Sequence, residues 1–395
     1  MSSDISRIYL DNNATTPLDD RVKNSISEAL NLWANPSSNN ENATKAAEAI
    51  AEARNHLARM FNVENDGVVF TSGGTESNNW VIEGAIQTAR KLNRNEIPHV
   101  ITTNIEHPSI LEPLKRREEF GEITVTYVSV NPLTGFVTSQ SVNDSLTPST
   151  CLITIMLANN ETGVLQPVEE ICHLIRDKLK EKSPFLHSDV AQAAGKIPID
   201  VKSLGVDAVT VVGHKFYGPR NGALIFSPRG IRIPPMLLGG NQESGWRSGT
   251  ENTPMIVGLG EAARIYNEGY TNIESVLRQN RDYFEELLVK KNLRNSHVIH
   301  FLGSPRLPNT SSVAFLDYPS HGCDLLEKCR TFYASTGAAC HKNECSPILK
   351  ACGIPFAIAS KTVRISFGRS TTLAQIDTVV EELEKLCSPL TENDF

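Results

Sequence analysis

The sequence predicts an α/β fold: a large, mostly parallel sheet flanked by helices, followed by a smaller α+β unit. Three observations carry this expectation. Between residues 42 and 207, short apolar runs alternate with stretches of helical period, the pattern of buried parallel strands joined by crossover helices. The chain has 395 residues, long enough for two or three domains around a sizeable core. Apolar residues make up 40% and charged residues 21%, a globular composition that excludes a disordered chain or a fibre.

Taken in order, an Ala-rich helix is expected over 42–61, then a short strand ending at Phe70 and a helix over 76–92. A strand over 99–103, a helix over 109–120 and strands over 123–130 and 151–158 follow. Next come a helix over 168–182 and strands over 185–187, 208–212 and 222–226. After the Gly- and Pro-bearing stretch 234–254, the residues from 255 to about 291 read as a bridging helix pair. The remainder alternates more loosely, with strands near 299–302, 312–315 and 363–367 and a last helix over 373–386.

The charge balance narrows the function classes. Lys plus Arg number 38 against 45 for Asp plus Glu, a formal net charge of -7, which repels polyanions, so nucleic acid is not an expected partner. No stretch approaches the ~20 apolar residues of a membrane span, and residues 1–7 lack the pattern of a secretory signal. Membrane association is not expected, and a cytoplasmic location is. Eight cysteines (Cys151, Cys172, Cys323, Cys329, Cys340, Cys345, Cys352, Cys387) carry no C-x2-C pair, and reduced thiols are expected. No metal site is expected.

Three motifs carry chemistry. Thr71-Ser72-Gly73-Gly74-Thr75-Glu76-Ser77-Asn78 lies between a strand and a helix, where glycines and free N–H groups can cradle a phosphate. An ordinary capped turn would read the same way. His187-Ser188-Asp189-Val190-Ala191-Gln192 closes an apolar strand, and ligands in open α/β sheets bind at such carboxyl ends; Asp189 there also fits a helix cap. Gly213-His214-Lys215 ends another strand. A lysine in that place is either a surface turn residue or, with its charge disfavoured, a nucleophile for carbonyls. A lysine, an acid and a phosphate cradle are together what pyridoxal phosphate requires.

Further segments extend the pattern: Tyr9-Leu10-Asp11-Asn12-Asn13-Ala14-Thr15-Thr16-Pro17, Glu106-His107-Pro108-Ser109, Asn159-Asn160-Glu161-Thr162-Gly163, Ser248-Gly249-Thr250-Glu251-Asn252, Gly337-Ala338-Ala339-Cys340 and Arg364-Ile365-Ser366-Phe367-Gly368-Arg369. On these residues nearly the whole chain resembles the selenocysteine lyase and cysteine desulfurase family of fold-type I pyridoxal phosphate enzymes, within the class V aminotransferase group. Val212, Thr154–Gly163 and Arg306-Leu307-Pro308-Asn309-Thr310 bring it nearest to the selenocysteine lyases. It departs from them at Asn241 and Ser248, and Val212 stands where many desulfurases have a phosphate-binding serine.

The resemblance implies a large cofactor domain over 20–262 and a small domain over 263–395 completed by residues 1–19. It implies Lys215 as the Schiff-base lysine, Asp189 at the pyridine nitrogen, His107 on the ring face and Gln192 at the phenolic oxygen. Gly74, Thr75 and His214 would hold the phosphate, with Thr250 reaching it from the second subunit of a homodimer. Asn160 would lie beside cofactor and substrate, and Asn13 and Arg364 would bind the substrate. A guanidinium suits an α-carboxylate because its planar fork donates two parallel hydrogen bonds. Cys340, with His341 and Lys342 beside it, would be a reactive thiol on an exposed loop, and Cys345 either resolves it or is structural. The implied reaction converts L-selenocysteine, or L-cysteine with a persulfide on Cys340, to L-alanine, with a possible selenium or sulfur acceptor protein. Rival expectations are a small-donor aminotransferase, a kynureninase-like hydrolase and a catalytically silent scaffold.

Overall fold

The computed structural model describes residues 7–228, 232–290, 297–337 and 345–387. Its strands are β1 (Ile8–Tyr9), β2 (Val68–Thr71), β3 (His99–Thr103), β4 (Thr124–Val128), β5 (Thr150–Thr154), β6 (Phe185–Asp189), β7 (Ala208–Val212), β8 (Gly222–Phe226), β9 (His297–Ile299), β10 (Thr310–Phe315), β11 (Phe332–Tyr333) and β12 (Thr362–Ser366). Seven of them form one sheet in the order β2-β8-β7-β6-β5-β3-β4. The pairs β3–β4, β3–β5, β5–β6 and β6–β7 are parallel, whereas β8 runs antiparallel to both β7 and β2. β2 therefore points the same way as β7.

Successive strand residues enter opposite faces of the sheet, as the pleat requires. Val69, Val100, Leu152, Phe185, Ala208 and Leu224 join one cluster with Trp80 and Ile86. Their neighbours Phe70, Ile101, Ile153, Leu186, Val209 and Ile225 join a larger cluster with Leu57, Ile175 and Leu259. Both faces are covered, and β3, β6, β7 and β8 are buried along their whole length. That is why β8 reads as an apolar run and why the polar residues of β3, β6 and β7 are buried too.

A third cluster sits in the C-terminal part, where Phe284, Val313, Phe315, Val363, Ile365 and Val380 pack with Leu10 from the N-terminal segment. β12 and β9 flank β10 antiparallel. β1 pairs with β11, and Asp11 bridges to Ser366, so the N-terminal segment is bound to the small sheet. The bridging region is the expected helix pair, running from Thr253 to Lys290 with non-helical backbone at Gly269, φ -140, between the two, a residue that permits such a kink. Close approach to helix Glu41–Phe61 depends on Gly260, where a Cβ would lie 2.4 Å from Ala53 Cα.

Three strands, β4, β5 and β9, are shorter than the sequence predicts. β4 stops at Val128, and the Val130 N–H goes to Asn104 Oδ1 at 3.2 Å. β5 ends at Thr154, opposite Thr102 of β3, and beyond it the Met156 N–H goes to the Glu106 carboxylate at 2.9 and 3.0 Å. β9 ends at Ile299, and Phe301 two residues on has φ 54, a turn conformation incompatible with a strand. Among the described residues no helix is long and apolar enough to cross a membrane, and none of the seven described cysteines is in a disulfide.

Candidate active site

The sheet topology brings the carboxyl ends of β2, β3, β5, β6 and β7 to one edge. The residues that follow them line a single cavity of about 350 Å³: Gly74 and Thr75, His107, Asn160, Asp189 and Gln192, and His214 and Lys215. Asn13 and Arg364 close it from the N-terminal segment and the small sheet.

Helix Gly74–Leu92 begins at this edge, and its cap, Gly73, makes no side-chain hydrogen bond. The first-turn N–H groups are therefore left to an anion, with the positive end of the helix dipole behind them. A Cβ on Gly74 would stand 2.7 Å from Val212 Cγ2. Glycine at 74 thus leaves room for Val212.

Asp189, at the end of β6, is held in place by two donors. Its Oδ2 accepts from Asn78 Nδ2 at 2.8 Å and its Oδ1 from the Ala191 N–H at 2.9 Å. Asn78 Nδ2 also donates to Ser109 Oγ at 2.8 Å, while Asn78 Oδ1 is buried without a partner. Asn78 and Ser109 were not expected from the sequence. The available signal was spacing, since Asn78 lies four residues after Gly74 and so shares its helix face.

His107 caps helix Pro108–Glu119. Its Nδ1 accepts from the Ser109 N–H at 3.1 Å, which leaves the proton of the neutral ring on Nε2. Burial pushes its pKa down, against the pull of the Asp189 charge. Behind it Glu106 is buried, and burial pushes its carboxyl up to about 8. His214 is lowered to about 4 by burial and by the charges of Lys215 and Arg220, and its Nδ1 lies 3.1 Å from Thr15 Oγ1.

Lys215 Nζ donates to the carbonyls of Asn13 and Ala14, both at 2.8 Å. Burial and the Arg364 charge lower its pKa to about 8, with Asp189 and Asp11 opposing. A neutral amine is therefore accessible near physiological pH, which a nucleophile for carbonyls requires.

Arg364, on β12, is 4% exposed. Its Nη1 donates to the Asn160 carbonyl at 2.9 Å and its Nη2 to Asp11 Oδ1 at 2.5 Å, while Nε is buried without a partner. An unpartnered donor on a buried guanidinium is costly, and a carboxylate would satisfy it. Asp11 as the partner of Arg364 was also not expected from the sequence.

These residues fit pyridoxal phosphate on their own chemistry: an uncapped helix end for the phosphate, a fixed carboxylate for the pyridine nitrogen and a lysine of depressed pKa. Thr250, expected to reach the phosphate from a second subunit, is exposed and does not line the cavity of its own chain. Cys340, with His341 and Lys342, lies outside the described residues.

The family model described as "Aminotransferase class-V" matches residues 8–379, and the chain belongs to this family. Within it, the chain is 42% identical to a selenocysteine lyase of Bos taurus over 97% of its own length and 94% of the relative. It is 38% identical to a cysteine desulfurase of Nostoc sp. over 98% and 94%. A solved NifS-like protein matches with a TM-score of 0.85 and 32% identity, covering 96% of this chain and 99% of the other, and its fold is the one the sequence predicts.

Proposed function

We propose that this protein is a pyridoxal-phosphate-dependent selenocysteine lyase, converting L-selenocysteine to L-alanine and selenium. The observation that carries the reading is one cavity holding the Lys215 amine, the fixed Asp189 carboxylate and the half-satisfied Arg364 guanidinium, in a chain similar to selenocysteine lyases. Pyridoxal phosphate, when bound, supplies an electron sink that weakens bonds at Cα and Cβ of an amino acid.

The chain's own residues divide the remaining tasks. Gly74, Thr75 and His214, with Thr250 of a second subunit, hold the phosphate. Asp189 would keep the pyridine nitrogen protonated, Gln192 would donate to the ring oxygen, and His107 would cover the ring face. Arg364, helped by Asn160 and Asn13, grips the substrate carboxylate and so aims the Cα–H bond. Lys215 would hold the cofactor and, as a base beside Cα, would take the Cα proton of the substrate. As the Cβ–Se bond breaks, the Cys340 thiol would meet the departing selenium, and its own proton would go to Cβ to complete alanine, leaving the thiolate and selenium.

The rival readings are separated by Cys340→Ala. A lyase is expected to lose about 10²-fold in alanine formation, the scale of a missing acid–base group, whereas an aminotransferase or a kynureninase-like hydrolase has no use for this thiol and would keep full activity. The Lys215 pKa gives a second check. The neutral amine captures the aldehyde, so loading of cofactor-free protein is expected to speed up with pH through about 8 and then level off. Continued acceleration toward 10.5, the ordinary lysine value, would show an unperturbed amine.

The same reading includes a homodimer, supported by the exposure of Thr250, and a division of residues 20–262 from 263–395 with 1–19, supported by the separate C-terminal cluster that includes Leu10. A cytoplasmic location and a protein that accepts the released selenium complete it.

A further inference from the structure

Lys196 has no role in the mechanism above, yet it is 4% exposed and lies under the cavity floor. Burying an amine is expensive unless its hydrogens are used. Its Nζ donates to Gln192 Oε1 and to Asn13 Oδ1, both at 3.1 Å. No carboxylate pairs with it among the described residues, and the charges that act on it most are those of Lys215 and Arg364, both positive.

Two amide oxygens thus converge on a group that presents N–H donors. A carboxamide can be turned end for end, exchanging its oxygen for its NH2. The two contacts favour the present orientation at both residues, because reversing either amide would leave a buried N–H of the amine without its acceptor. Gln192 then presents its Nε2 on the other side, where it donates to the Asn13 carbonyl at 3.0 Å and keeps a second N–H for an acceptor in the cavity it lines. Asn13 is fixed likewise. Its Oδ1 also accepts from Asn309 Nδ2 at 3.1 Å, and its Nδ2 donates to Thr310 Oγ1 at 2.8 Å. The Asn13 carbonyl is the same one that receives Lys215 Nζ.

We propose that Lys196 is a positioning residue, fixing the amide orientations of Gln192 and Asn13 so that Gln192 offers a donor to the cofactor ring oxygen and the Asn13 carbonyl stays at Lys215. The part concerning the ring oxygen rests on the lyase reading; the orientation of the two amides does not.

The test compares Lys196→Met, which removes the donors at similar length, with Lys196→Gln, which retains an NH2. In cofactor-loaded protein, a donor at the ring oxygen favours its more negative form. Its loss is therefore expected to raise the pH midpoint of the visible absorption change by about one unit, the scale of one hydrogen bond. Lys196→Gln is expected to recover part of the shift. In a Gln192→Leu background, Lys196→Met is expected to add nothing; an equal shift in both backgrounds overturns the proposal, because a merely structural lysine would act independently of Gln192. Crystal structures of both Lys196 variants, loaded or cofactor-free, provide a readout that survives failure of the lyase reading. Gln192 Nε2 moved beyond 3.5 Å from the Asn13 carbonyl in Lys196→Met and kept near it in Lys196→Gln is the expected result. An unmoved Gln192 in Lys196→Met overturns the inference.

Discussion

Lys215→Ala is expected to lower alanine formation by at least about 10³-fold, the scale of losing a member of a covalent machinery. The purified variant should lack the visible absorption of lysine-bound pyridoxal phosphate, and borohydride should attach no cofactor to the chain. The fold should survive, because the side chain lies at the cavity rather than in a hydrophobic cluster. What it loses are two hydrogen bonds to the carbonyls of Asn13 and Ala14, worth ~1 kcal/mol each. A melting temperature near that of the wild type, with abolished activity, separates chemistry from stability. Retained turnover would remove Lys215 from the reaction.

The second large effect concerns substrate binding. Arg364→Lys keeps the positive charge opposite Asp11 but replaces a planar fork by a single point donor. One of the two hydrogen bonds to the α-carboxylate is lost, and a charged hydrogen bond is worth about 1.5–3 kcal/mol, so kcat/KM is expected to fall by about 10²-fold, chiefly through KM. Cofactor absorption should be unchanged, since the proposed partner of Arg364 is the substrate carboxylate rather than the cofactor. A fall in cofactor content with KM intact would instead place Arg364 at the cofactor.

Much of this candidate site was legible in the sequence because several motifs together match one family pattern. A lysine closing a strand, an aspartate closing another and paired glycines opening a helix each fit an ordinary turn or cap when taken alone; their combination and the family resemblance set them apart, and parallel topology delivers them to one edge. The supporting residues gave no such pattern. Asp11 meets Arg364 across 353 positions of sequence, and Lys196 meets Asn13 across 183. Such partners are set by how the N-terminal segment is seated between the two sheets, which no local pattern encodes. Strand lengths failed for a related reason: β5 stops where the Glu106 side chain takes the bond that a neighbouring strand would have made. The antiparallel direction of β8 was also hidden, because a fully buried strand reads the same in either direction.

Arg364, Lys215 and Asp189 suit any α-amino acid whose Cα proton is removed, so the lyase reading turns on the leaving atom. The direct measurement is the rate of alanine formation by the wild-type holoenzyme from L-selenocysteine and from L-cysteine under one set of conditions, with persulfide on Cys340 quantified in parallel. The expected result is alanine from L-selenocysteine at a rate at least about tenfold higher, equivalent to 1.4 kcal/mol in the barrier, with little persulfide from L-cysteine. Comparable rates with abundant persulfide on Cys340 would contradict it and identify a cysteine desulfurase.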